Sequence, residues 1–189
     1  MRPSFTCFII ALLGAAAALL TGCCANNTCN CDQLADAILL RFNVQDTTGT
    51  KPTGYQLSEV DTIRIVRYRL LGATAPDTVL LTRPKSRATT DIVISNTAPF
   101  PLSGTQKVNA YRYIILLTDR HRRAPQVRQR YDLTNIRLAG RFQADGCCTC
   151  YENTTKTADL SVSAPNTNTI ALTTTPIDLK QVIELRRPE

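Results

Sequence analysis

Apolar and polar residues alternate along most of this chain. Ile38, Leu40, Phe42 and Val44 share one parity, with Leu39, Arg41 and Asn43 on the other. A period of two predicts a strand with one buried face. In TIRIVRYRL, residues 62–70, Ile63 and Ile65 hold one parity while Val66, Tyr68 and Leu70 hold the other. One extra residue near Ile65 and Val66 would return all of them to a single face, so the pattern predicts a β-bulge there, the alternative being two shorter strands with a bend. The same parity change occurs at residues 131–138, between Tyr131 and Leu133 and then Ile136 and Leu138. Further strands are expected at residues 78–82, 91–95, 110–118, 159–164, 169–173 and 177–185. The last also fits a helical face through Leu179, Val182 and Ile183. The run YIILL at 113–117 is apolar on both faces and predicts a central strand. No long amphipathic helix is visible, and TTGTKPTG at 47–54 is a turn by composition. Eight or nine short strands with Thr-, Pro- and Asn-rich connections predict an all-β fold over residues 37–189. The expected form is an antiparallel β-sandwich of the immunoglobulin-like kind.

The first residues break the alternation. After Arg2, residues 8–20 read FIIALLGAAAALL without a charge. A basic start followed by a short apolar run is a secretory signal pattern, and a membrane span would need about 20 such residues. The run ends Leu20-Thr21-Gly22-Cys23. This resembles the lipobox of bacterial lipoproteins: aliphatic, small, Gly or Ala, then Cys. The resemblance implies a signal peptide at 1–22 and lipid on Cys23, which becomes the first residue of the mature chain. Residues 23–36 are then a polar, Asn- and Cys-rich tether. Each buried CH₂ of an acyl chain contributes about 0.8 kcal/mol, so several chains hold firmly.

Removing residues 1–22 leaves 21 basic against 15 acidic residues, a balance of +6. The chain has no Trp and a single histidine, His121. A site built on two histidines is therefore excluded, and any Ser-His or Cys-His pair must use His121. Of eight cysteines, Cys7 lies in the signal and Cys23 under the lipid. Six remain in two clusters: Cys24, Cys29 and Cys31, then Cys147, Cys148 and Cys150. An exported chain meets oxidising conditions, so disulfides joining the tether to a 147–150 loop are expected. Six cysteines allow 15 connectivities, and the sequence does not choose among them. Adjacent Cys147 and Cys148 are poor partners for each other. The rival is thiol or metal handling, since thiolate clusters suit Zn(II) or Cu(I). The spacings here are C-x-C and C-C-x-C, not paired C-x-x-C knuckles.

Residues 120–130 (RHRRAPQVRQR) carry Arg120, His121, Arg122, Arg123, Arg128 and Arg130 and no acid. We read them as a long hairpin loop. It could grip lipid headgroups, an anionic glycan or an acidic envelope protein, although such runs are commonly only solvated. Nucleic acid does not suit an exported chain. The acids are scattered, several at strand starts where turn chemistry explains them. No pair stands out as general acid and base, and no Gly-rich phosphate loop is present. Neither a cofactor nor an enzymatic activity is expected. Asn26-Asn27-Thr28 and Asn153-Thr154-Thr155 match the glycosylation acceptor pattern, which is discounted for a bacterial chain.

The lipobox, the Cys-rich tether and strands opening Asp61-Thr62-Ile63 and Asp77-Thr78-Val79 look like small lipoproteins of Bacteroidota. With Asp46-Thr47-Thr48, these triplets also resemble the O-glycosylation acceptor of that phylum. The resemblance covers the signal and the general layout and carries over no active site. It implies a lipid-anchored protein of the bacterial cell envelope, at the outer rather than the inner membrane. Its expected role is that of a non-enzymatic binding or accessory module.

Overall fold

The computed structural model describes residues 29–32, 34–50, 52–72, 75–100, 106–119, 126–163 and 174–188. Within them the alternating segments form nine strands. These are β1 (Ile38–Phe42), β2 (Thr62–Arg69), β3 (Asp77–Thr82), β4 (Ile92–Ile94), β5 (Tyr111–Asp119), β6 (Gln126–Asp145), β7 (Cys148–Ser163), β8 (Thr174–Asp178) and β9 (Ile183–Leu185). They make a three-stranded sheet in the order β4-β1-β9 and a six-stranded sheet in the order β3-β2-β5-β6-β7-β8. The pairs β1–β4, β2–β3, β2–β5, β5–β6 and β7–β8 are antiparallel, and β1–β9 is parallel. The described residues fall into two units: 34–140 with 153–188, and 29–32 with 141–152.

The larger unit is an all-β sandwich. Ile38, Leu40, Phe42, Ile92, Ile94 and Leu185 of the small sheet share one core with Ile63, Ile65, Ile115, Leu117, Tyr131 and Leu133 of the large one. Each such side chain contributes roughly 1.5–3 kcal/mol by leaving water. The Phe42 ring makes edge contacts with Tyr55 at 5.6 Å and Tyr131 at 6.1 Å. As the YIILL run predicts, β5 is interior: it pairs with β2 on one side and β6 on the other. Ile114 and Ile115 are buried although they point to opposite faces.

The expected bulge in β2 is absent. Its register runs unbroken against β3 and β5, from Ile63 opposite Leu117 to Arg69 opposite Tyr111. Strict parity therefore holds. It carries Arg67 to the same face as Ile63 and Ile65, and Val66 to the opposite face. The parity change in residues 131–138 does occur. Leu133 and Ile136 are both buried, and between them Asn135 takes a positive φ of 51°. Asn tolerates that conformation better than most residues, because its short polar side chain can bond locally.

Two strands are longer than the alternation marks. β6 and β7 have 20 and 16 residues, where alternation marks only 131–138 and 159–164. Cys148 and Cys150 accordingly lie in a strand, not in a loop. The turn is Gly146-Cys147, and Gly146 has φ +58°. Glycine at the first central position of a two-residue turn is the type II′ pattern, whose twist matches flanking strands. The 177–185 segment is neither a helix nor one strand. β8 ends at Asp178, Leu179 buries its side chain at a turn, and β9 begins at Ile183. The expected strand at 169–173 lies outside the described residues.

Candidate functional site

Cysteine chemistry defines the smaller unit. Cys29 is bonded to Cys148 and Cys31 to Cys150, each pair with Cα atoms 5.3 Å apart. Both links span 119 positions. Residues 29 and 31 therefore advance in step with 148 and 150, two residues apart on each side. In an extended chain, residues two apart share a face, so both links lie on one side of β7. Cys147 sits in the turn before that strand and is also disulfide-bonded. It is bonded to neither Cys148 nor Cys150, so its partner lies outside the described residues, as do Cys23 and Cys24. Five of the six cysteines expected in disulfides are thus oxidised, and they offer no thiolate to a metal. Among the described residues no group of three or more His, Cys, Asp or Glu side chains is placed to hold a metal ion. On the same unit Phe142 and Tyr151 meet edge to face at 5.3 Å, with Phe142 73% exposed.

In the larger unit the start of the sandwich is pinned to β7 by polar contacts. Asn153 Nδ2 donates to the Ala35 carbonyl (2.8 Å) and to Asp36 Oδ1 (2.7 Å). The buried Lys156 ammonium donates to the Ala37 carbonyl. Asn153 thus has a structural partner, whatever its match to an acceptor pattern. Of the three Asp-Thr triplets, Thr62 is buried, Thr47 half-buried and Thr78 exposed.

The basic stretch divides. Residues 120–125, which include Arg120, His121, Arg122 and Arg123, lie outside the described residues. From Gln126 onward the chain belongs to β6 and pairs with β5. Arg128 meets Glu59 at 3.3 Å, and Arg130 makes a two-pronged contact with Asp132, 2.7 Å at each prong. Both guanidinium groups therefore already have carboxylate partners.

Two buried polar arrangements were not expected. Arg67 is 4% exposed. Its guanidinium carbon lies 4.4 Å from the centre of the Phe100 ring and 4.6 Å from that of Tyr111. Its Nε donates to Asp77 Oδ2 at 2.8 Å. A delocalised, weakly hydrated guanidinium suits such a slot between two rings better than an ammonium does. Arg67 was legible from the parity of β2, since an unbroken strand puts it inside. The second arrangement surrounds Tyr55 and Tyr131. Their hydroxyls bond to each other, and Tyr131 Oη donates to the Arg186 carbonyl at 2.7 Å. Glu59 holds Arg128 on one oxygen and Arg187 on the other.

Burial pushes the Tyr55 phenol up to about 12 and raises Tyr113 and Tyr131 as well. In the unfolded chain each would titrate near 10. The neutral form is favoured in the fold, so this contribution is complete below about pH 10 and is lost as pH rises from there toward the folded values. Thermal melts should show a melting temperature insensitive to these groups up to about pH 9. Above about pH 10 it should fall, with each tyrosine adding up to about 1.4 kcal/mol per pH unit. Tyr55→Phe should flatten that descent. An equal descent in the variant would show that the ring does not titrate with unfolding.

The fold and its covalent links define a class: an all-β, two-sheet protein with disulfide links between its N-terminal segment and a β-hairpin. No known protein family, curated protein or solved structure matches this chain.

Proposed function

We propose that the chain is an exported lipoprotein of the bacterial cell envelope, held by lipid on Cys23, with a β-sandwich that acts as a non-enzymatic binding or accessory module. The observation that carries this reading is the oxidised state of Cys29, Cys31, Cys147, Cys148 and Cys150. Disulfides persist where proteins are exported and are rare in reducing compartments. Leu20-Thr21-Gly22-Cys23 supplies the route to the membrane, and no helix among the described residues is long and apolar enough to cross one. The cysteine inventory adds a constraint. With Cys7 removed in the signal and Cys23 acylated, Cys24 is left as the partner of Cys147. The outer membrane is the expected location. Because Arg128 and Arg130 have partners, an anionic glycan or acidic envelope protein would be met by Arg120, His121, Arg122 and Arg123.

The test is Cys23→Ser followed by cell fractionation. The wild-type chain should be in the membrane fraction, with an acyl mass on its N-terminal peptide. The variant should leave that fraction or stay unprocessed. A variant that remains membrane-bound and normally processed would overturn the lipid anchor.

A further inference from the structure

Sheet edges expose unpaired N–H and C=O groups, and proteins guard them with short strands, charges or proline. Three of the four edges here are guarded. β4 and β9 have three residues each, and β9 carries Glu184. β8 contains Pro176 and ends on Asp178. The fourth edge is β3, six residues long, and from Thr78 to Thr82 (TVLLT) it has neither charge nor proline. Its one ladder partner is β2. Among the described residues, its other edge makes no backbone hydrogen bond. Leu80 at its centre is 56% exposed, and Thr78 and Thr82 are exposed with it. Val79 and Leu81 turn the other way and pack against the core. Beside them lies a groove of about 480 Å³ of mixed character, lined by Leu81, Ile92, Val93 and Pro99 and also by Arg87 and Asp91.

We propose that this edge pairs with the β3 edge of a second copy of the same chain, continuing the six-stranded sheet across a two-fold axis at Leu80. The sequence of the strand selects that occupant. Read antiparallel about Leu80, TVLLT matches itself: Thr78 faces Thr82 of the second copy, Val79 faces Leu81, and Leu80 faces Leu80. Threonine pairs and apolar pairs directly opposite each other stabilise antiparallel ladders. A patch that matches itself under a two-fold rotation is what a closed dimer needs. The inward Val79 and Leu81 of the second copy would meet the groove, and the exposed leucines would cover each other.

The test uses the purified full-length chain in mild detergent. Sedimentation should show a monomer–dimer equilibrium with a dissociation constant on the order of 10–100 µM, weak because the interface is small. Leu80→Lys places a charge against itself on the axis and should weaken the dimer at least tenfold. Leu80 is exposed, so folding should change little. As a check independent of that variant, Leu80→Cys should be captured as a dimer by a short thiol–thiol cross-linker. Thr175→Cys, on the guarded β8 edge, should not be captured. A wild-type chain that stays monomeric at millimolar concentration would overturn the proposal. So would a dimer unaffected by Leu80→Lys, or a Leu80→Cys chain captured no more readily than Thr175→Cys.

Discussion

Full reduction of the native chain should lower its unfolding free energy by about 4–5 kcal/mol, whereas removing either described link alone should cost about 1 kcal/mol or less. The reason is geometric. Closing a loop of about 100 residues removes unfolded-state entropy worth roughly 4.7 kcal/mol by the chain-entropy argument. Cys29–Cys148 and Cys31–Cys150 close almost the same loop, because their ends are two residues apart on each side. Once one link is present, the other constrains only a few more residues. Urea unfolding of the oxidised chain, the reduced chain and the Cys29→Ser/Cys148→Ser double variant separates the cases. A double variant as unstable as the reduced chain would show that the links are not redundant.

Arg67→Ala should cost about 3 kcal/mol, more than any exposed substitution. Each of the two desolvated cation–π contacts contributes on the order of 1–2 kcal/mol, and truncation leaves a cavity beside Phe100 and Tyr111. Removing the arginine also releases Asp77, which costs little because that carboxylate is already more than half exposed. Arg67→Lys should recover only part of the loss, since an ammonium has no planar face to lie between the rings. The urea midpoint at unchanged slope reads the effect directly. A shift in Arg67→Ala equivalent to less than about 0.5 kcal/mol, the size typical of surface positions, would mean that the guanidinium contributes nothing inside the sandwich.

The same residue shows where legibility ends. Period-two alternation located β1, β2, β4 and β5 to within a residue or two, because those strands bury one face or both. In β2 the alternation was sound and the inference from it was not. A charged residue on an apolar parity suggested a bulge, when the fold instead supplies two rings and a carboxylate for Arg67. The outer parts of β6 and β7 have polar residues on both faces, as in Arg128-Gln129-Arg130 and Glu152-Asn153-Thr154. Ladder hydrogen bonds and disulfides hold such strands, and neither leaves a hydrophobic period. The cysteine clusters were legible as partners from number and spacing. Their pairing was not, since any of 15 connectivities satisfied the count. Half of the basic stretch gave no sign that its arginines were committed, because Glu59 lies far from Arg128 in sequence and meets it only through the fold.

The central claim is that export spends every cysteine of the mature chain, one on lipid and six on three disulfides. Tryptic peptides of the unreduced, membrane-derived protein test it in one mass measurement. Cuts after Arg41 and Arg141 isolate residues 23–41 and 142–156. The account predicts a single linked species: an acylated peptide beginning at Cys23, joined to 142–156 through three disulfides, with no free thiol. A species in which Cys23 carries no acyl group and is itself bonded to Cys147 would contradict it.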